Sequence, residues 1–220
     1  MKPEINTIPR RKFLQNTALA AIGAGAFSML PSAGKAHPYS DDDINLIRPL
    51  EGYSPQIGIL VSMLNWNRAS VLNAVKGLTQ PDLDFLVDAR SNTIGALLLH
   101  LAATDVVYQD LTFNKLNDFS EENKKKWTVP MELGSKAREQ IKGNNLDYYL
   151  SALQEVREKT LAEFKKRDDK WFAEIDPHFF GNKPTNNFCK WFHVCEHESN
   201  HRGQITVIRK RLPGNNSKEE

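Results

Sequence analysis

The sequence predicts an all-α protein, an antiparallel four-helix bundle. Apolar residues return with helical spacing in four long segments, strand-like alternation is scarce, and Pro- and Gly-containing stretches separate the segments. Helical spacing matters because residues three and four apart share a face, which is then buried against a neighbour.

The first helix is expected from Pro55 to Lys76, with Ser54 as N-cap, Pro at the first position and Gly77 as the stop. Its inward set is Ile57, Leu60, Val61, Leu64, Leu72 and Val75. After the break at Thr79-Gln80-Pro81, a second helix runs from near Asn92 to about Phe113, with His100 in its middle. Residues 114–145 are charged, hold Pro130, Gly134 and Gly143, and lack a sustained apolar face. They read as a long inserted connection with a short helix at 132–141, suited to form a lid or wall. The third helix spans Leu146 to Lys166 and buries Leu150, Leu153, Val156, Thr160, Leu161 and Phe164. Residues 168–184 read as a loop. The fourth helix starts at Thr185 or Asn186 and ends near Arg211, before Pro213-Gly214; it carries Phe188, Trp191, Phe192, Val194, Ile205, Ile208 and Leu212. The bundle thus occupies 54–213, with a leader at 37–53 and a disordered tail at 214–220.

Residues 1–36 are of a different kind. Arg10, Arg11 and Lys12 precede a soft apolar run, Ala18 to Leu30, and then Gly34-Lys35-Ala36, the layout of a signal peptide cleaved after Ala36. The run is about 13 residues, short of the roughly 20 that span a bilayer, so no stable membrane anchor is expected after processing. Arg10-Arg11-Lys12-Phe13-Leu14-Gln15 resembles a twin-arginine export signal, which implies a periplasmic protein. The segment holds five of the 29 basic residues and one of the 27 acidic ones, so the mature net charge is −2. No surplus positive charge remains to hold a polyanion, and nucleic acid is excluded as a partner. Cys189 and Cys195 lie six apart on one helix, about 9 Å between Cα atoms at 1.5 Å per residue. That is too far for a disulfide, and two thiols behaving as small core residues are expected.

The chemistry concentrates in Trp191-Phe192-His193-Val194-Cys195-Glu196-His197-Glu198-Ser199-Asn200-His201-Arg202-Gly203-Gln204. Four apart on a helix, His197 and His201 aim their imidazoles at one point, an arrangement suited to a divalent transition metal. An apolar helix face makes such a pair costly unless each ring nitrogen has a partner. His197-Glu198-Ser199-Asn200-His201 also matches the zinc-protease pattern, but the only acids downstream are Glu219 and Glu220 at the chain end. A third ligand must come from upstream.

The segment His197-Glu198-x-x-His201-Arg202-Gly203-Gln204 resembles the signature of the DinB/YfiT-like superfamily, and Ile94-Gly95-Ala96-Leu97-Leu98-Leu99-His100-Leu101 resembles its second-helix segment. The resemblance covers residues 54–212, apart from the 114–145 connection. It implies a four-helix bundle with a three-histidine site for zinc or nickel, and His100, His197 and His201 match its ligands one by one. His37 lies in the leader, His178 in a loop and His193 on the same helix as the pair, which leaves His100 as the mid-helix candidate. Three neutral histidines with an open position describe a catalytic site. Glu198 is the candidate catalytic acceptor of a proton from metal-bound water, with an exposed salt bridge as its alternative. His193 reads as a neighbour of the ligands or a pocket wall, and Gln204 as a hydrogen-bond partner of a ligand or a bundle contact. Gly203 is expected to allow close helix approach, and Arg202 to pair with an acid. The four tryptophans are suited to a pocket lining, but in a bundle they read as core.

These residues describe a metal-dependent enzyme acting on a small-molecule substrate, as a hydrolase or a thiol transferase. Hydrolysis ranks slightly ahead, because nothing marks a thiol pocket and export separates the protein from cytoplasmic thiols. The alternative is a non-catalytic periplasmic metal- or ligand-binding protein, and a homodimer is compatible with either. If the export reading holds, changing Arg10 and Arg11 to Lys slows arrival in the periplasm; an unchanged rate in a fractionated pulse-chase refutes it.

Overall fold

The computed structural model describes residues 43–214; the expected signal at 1–36, the leader before residue 43 and the tail from residue 215 lie outside the described residues. Among the described residues four long helices form an all-α bundle: α1 (Pro55–Val75), α3 (Ile94–Thr112), α6 (Leu146–Phe164) and α8 (Asn187–Lys210). Four shorter helices join them: α2 (Gln80–Leu83), α4 (Glu121–Glu132), α5 (Gly134–Gln140) and α7 (Asp169–Ala173). A two-residue antiparallel pair, Ile175–Asp176 with Thr185–Asn186, closes the loop before α8. No described helix is long and apolar enough to cross a membrane.

Local chemistry starts the helices where expected. Thr93, Asn145 and Asn186 each accept the backbone N–H three residues on, satisfying a donor that the first turn leaves unpaired. Ser54 occupies the N-cap of α1, but its hydroxyl donates to Asp169 of α7, and that carboxylate takes the Gln56 N–H. A residue more than a hundred positions away thus caps the helix.

Cross-helix contacts define the direction of each element. Asn67, Arg68 and Ala74 of α1 meet Cys195, Glu198 and Arg209 of α8 in the same order, so these two helices run parallel. Gly95, Asp105 and Gln109 of α3 likewise meet Tyr149, Arg157 and Thr160 of α6 in order. Between α3 and α8 the order reverses: Thr112 meets Trp191, Tyr108 meets His193 and His100 meets His197. Two helices therefore run each way, up, down, down, up.

This order explains the 114–145 connection. Parallel neighbours need a chain that travels the length of the bundle, about 28 Å for a 19-residue helix at 1.5 Å per residue. α4 and α5 make that crossing, and α4 corrects the expectation of a mostly irregular stretch: Ser120 caps it, Asn123 and Ser120 bind Asp110, and Trp127 is buried. Its apolar contribution is confined to Trp127 and the stretch Val129-Pro130-Met131, which does not register as a periodic face. The break at residues 79–81 is itself the short helix α2, closed by a Thr79–Asp82 capping box. Leu72, Phe188 and Phe192 are exposed rather than inward, with Val71 taking the core position expected of Leu72. Cys195 is buried and Cys189 exposed, and both thiols are free.

The core is continuous through α3, whose buried side chains surround it on nearly every face. Gly95 is required there, because an added Cβ would lie 2.6 Å from Tyr149 Oη and 2.7 Å from its Cζ. Gly95→Ala is expected to cost about 1–3 kcal/mol through overpacking. A shifted urea midpoint with an unchanged slope checks this.

Candidate metal centre

His100 sits in the middle of α3, and His197 and His201 lie one turn apart on α8, the helix that faces it. His100 Nε2 is 3.1 Å from His197 Nε2, and His201 Nε2 is 3.0 Å from the same atom. One ligand atom from each ring lies within 4.8 Å of the other two. Histidines nearly a hundred positions apart in sequence are thus brought to one point, as the sequence leads one to expect.

The outer nitrogens settle which atoms face inward. His100 Nδ1 is 3.0 Å from the carbonyl oxygen of Pro130 in α4, which can only accept, so the ring carries its proton there. His201 Nδ1 is 3.0 Å from Gln204 Oε1 and is placed as a donor in the same way. Both Nε2 atoms then present lone pairs to His197 Nε2, which can donate to one of them at most. His197 Nδ1 is buried with no partner among the described residues. Protons alone leave this cluster short of donors at its centre, and a divalent cation supplies what three imidazole nitrogens need. The donor set therefore fits such an ion, with the outer hydrogen bonds orienting two of its ligands.

Burial and mutual repulsion keep the rings neutral. His100 is pushed down to about 4, chiefly by burial and then by His201. His197 falls to about 3 from burial and from its three histidine neighbours, and His201 is also lowered by burial. Neutral imidazole is the form that ligates metal.

His193 continues the stripe one turn before His197, with ring centroids 5.6 Å apart. Its Nδ1 is 2.8 Å from the Tyr108 hydroxyl, which holds it as a wall of the site beside Phe180. Burial raises the Tyr108 hydroxyl well above its usual range. Gln204, read from the sequence as either a ligand's hydrogen-bond partner or a bundle contact, pairs with His201 Nδ1. Arg202 has no acid partner among the described residues and lies over the Trp66 ring instead, 5.7 Å from its centroid. Gly203 allows no close helix approach, since nothing lies within 4 Å of an added Cβ.

Glu198 is fully buried, not part of an exposed salt bridge. Arg68 Nε donates to one carboxylate oxygen at 2.6 Å and Arg157 Nη2 to the other at 2.7 Å. Arg157 also donates from Nε to Asp105 at 2.8 Å. Burial alone would raise the Glu198 carboxyl, but the two guanidinium groups hold it below the usual carboxylate range. Sequence reasoning missed Arg68, Asp105, Arg157, Tyr108 and the Pro130 carbonyl. Asp105 and Arg157 carried a signal, as charges inside otherwise apolar faces; the carbonyl carried none.

A helical bundle whose facing helices converge three imidazoles is of the DinB/YfiT-like class. Residues 59–214 match the family model described as MST, Mycothiol-S-transferase, and the chain belongs to that family. No match was found among curated proteins.

Metal-free stability is expected to fall as pH drops from about 6.5 toward 4. In that window the unfolded histidines, near 6.5, take protons that the folded rings, at about 4 and 3, refuse. The lowered carboxylate, Glu198, loses its contribution only at lower pH. Melting temperatures of metal-free protein between pH 7.5 and 4.5 check this, and His197→Gln should flatten the slope.

Proposed function

We propose that the protein is a metal-dependent thiol S-transferase acting on a small molecule, with the ion held by His100, His197 and His201. The observation that carries the reading is the meeting of three Nε2 atoms, two of them with their Nδ1 protons already committed to Pro130 and Gln204. Membership in a family described by thiol transfer favours transfer over the hydrolysis ranked first on sequence grounds. Imidazole donors suit zinc and nickel alike. A bound divalent cation would favour the thiolate over the thiol at neutral pH.

The chain's own groups do the rest. α3 and α8 present the imidazoles as a fixed set, so little ordering is left for the moment of binding. Tyr108 and His193 form a hydrogen-bonded wall one turn from His197, next to the aromatic edge of Phe180. Glu198 has both oxygens occupied by arginines, and we assign it to holding α8 in place rather than to accepting a proton. The export signal, if processed as its pattern suggests, would place this chemistry in the periplasm, with an exported or external thiol as co-substrate.

His201→Ala is expected to abolish stoichiometric metal uptake while leaving helix content intact, and Gln204→Ala to weaken it by about 10–100-fold. Metal analysis of untagged protein alongside circular dichroism reads both. Unchanged uptake in His201→Ala refutes the ligand set. Transfer of a thiol to an electrophile that survives chelation of the metal refutes the metal-dependent reading.

A further inference from the structure

Beside the three histidines, on the side of the His201 Nδ1 atom, α8 lines a cleft of about 540 Å³ with the loop 87–92 and the first turn of α3. That volume is in the range that holds a small organic molecule. Leu97, Val207 and Ile208 give it an apolar wall, and Asn200 and Gln204 a polar one. Arg90 and Arg211 stand in its lining, both exposed, and neither guanidinium has a partner among the described residues. The single acid of the lining, Asp88, is exposed, and its Oδ1 accepts from the backbone N–H groups of Arg90 and Ser91.

Gly203 supplies the second observation. It lies inside the 24-residue helix α8, where glycine costs about 1 kcal/mol relative to alanine. No close packing requires it, because an added Cβ would meet nothing within 4 Å, and it opens onto this cleft. The helix thus bears the cost of a glycine where a side chain would only fill space. Gln204 belongs to both places: its Oε1 accepts from His201 Nδ1, and its Nε2 donates to Asn200 Oδ1 at 3.4 Å across the cleft wall.

We propose that this cleft is a binding site for a small organic anion, whose carboxylate or phosphate is gripped by Arg90 and Arg211 while its body lies over Gly203 against the apolar wall. The inference deepens the transferase reading, because it takes the occupant to be the anionic end of that reaction's substrate. Two unpaired guanidinium groups select an oxyanion, and the missing side chain at position 203 leaves room for what is attached to it.

The test uses full-length, metal-free protein, so that its outcome does not depend on thiol transfer. S-methylglutathione, which carries carboxylates and no free thiol, and phenyl phosphate are titrated separately while backbone amide shifts are followed by NMR. Saturable shifts at Asn92, Gly203 and Gln204 with either probe support the site, and the tighter probe identifies the headgroup. Arg90→Gln and Arg211→Gln should each weaken binding about tenfold, the scale of one charged hydrogen bond. Gly203→Leu should block it. Gly203→Ala should raise the melting temperature by about 2–4 °C, as removal of a helical glycine does in a chain of this size, while weakening the probe. The proposal is overturned if neither probe shifts these amides, or if both arginine variants bind as the parent does. It is also overturned if binding appears only after residues 215–220 are deleted, which would make the chain's own acidic tail the occupant. Loss of metal-dependent transfer with intact probe binding would sink the transferase reading and leave this one standing.

Discussion

Four charged side chains, one from each long helix, meet in the interior: Arg68 of α1, Asp105 of α3, Arg157 of α6 and Glu198 of α8. Their charges cancel, and the carboxylates are almost fully withdrawn from solvent. Buried ion pairs add little net stability over apolar residues, because desolvation consumes most of their attraction. What they impose is register. A one-residue slip of any long helix would strand a charge in the core, at a cost of several kcal/mol. Glu198 follows His197 directly and Asp105 lies five residues beyond His100, so the alignment that satisfies the charges also aligns the imidazoles.

Register alone would not orient the rings. His100 depends on the Pro130 carbonyl, supplied by a helix that belongs to the crossover rather than to the four-helix core. The crossover exists because α3 and α6 run in the same direction, so the chain must return along the bundle before α6 begins. Topology thus delivers a wall for the site at no extra device. His201 is oriented within its own helix by Gln204, three residues on, which is why that partner could be read from spacing and Pro130 could not.

The cleft beside α8 follows from the same arrangement. α8 is long enough to present two faces along one stretch: the His201 side turned toward α3, and the Gly203–Val207 side, which is exposed among the described residues. Gln204 stands at the boundary: it lines the cleft, and its Oε1 lies 3.0 Å from His201 Nδ1.

The sequence by itself determined the four long helices, a cap for the last of them at Thr185 or Asn186, and the facing pair His197 and His201, because spacing along a helix and capping chemistry are local properties; the resemblance of residues 94–101 to a family segment added His100. It also offered Gln204 as a hydrogen-bond partner for a residue of that stripe, with a bundle contact as the alternative. Only the tertiary structure decided the order of helix directions, the role of α4, the partner of His100 and the burial of Glu198 between two arginines. Those depend on which residues distant in the chain become neighbours, and a backbone carbonyl or a guanidinium leaves no periodic trace of the partner it will find. Gly203 shows the difference most plainly: a glycine in a helix reads as close packing from the sequence, and only the empty space around it reveals a cleft.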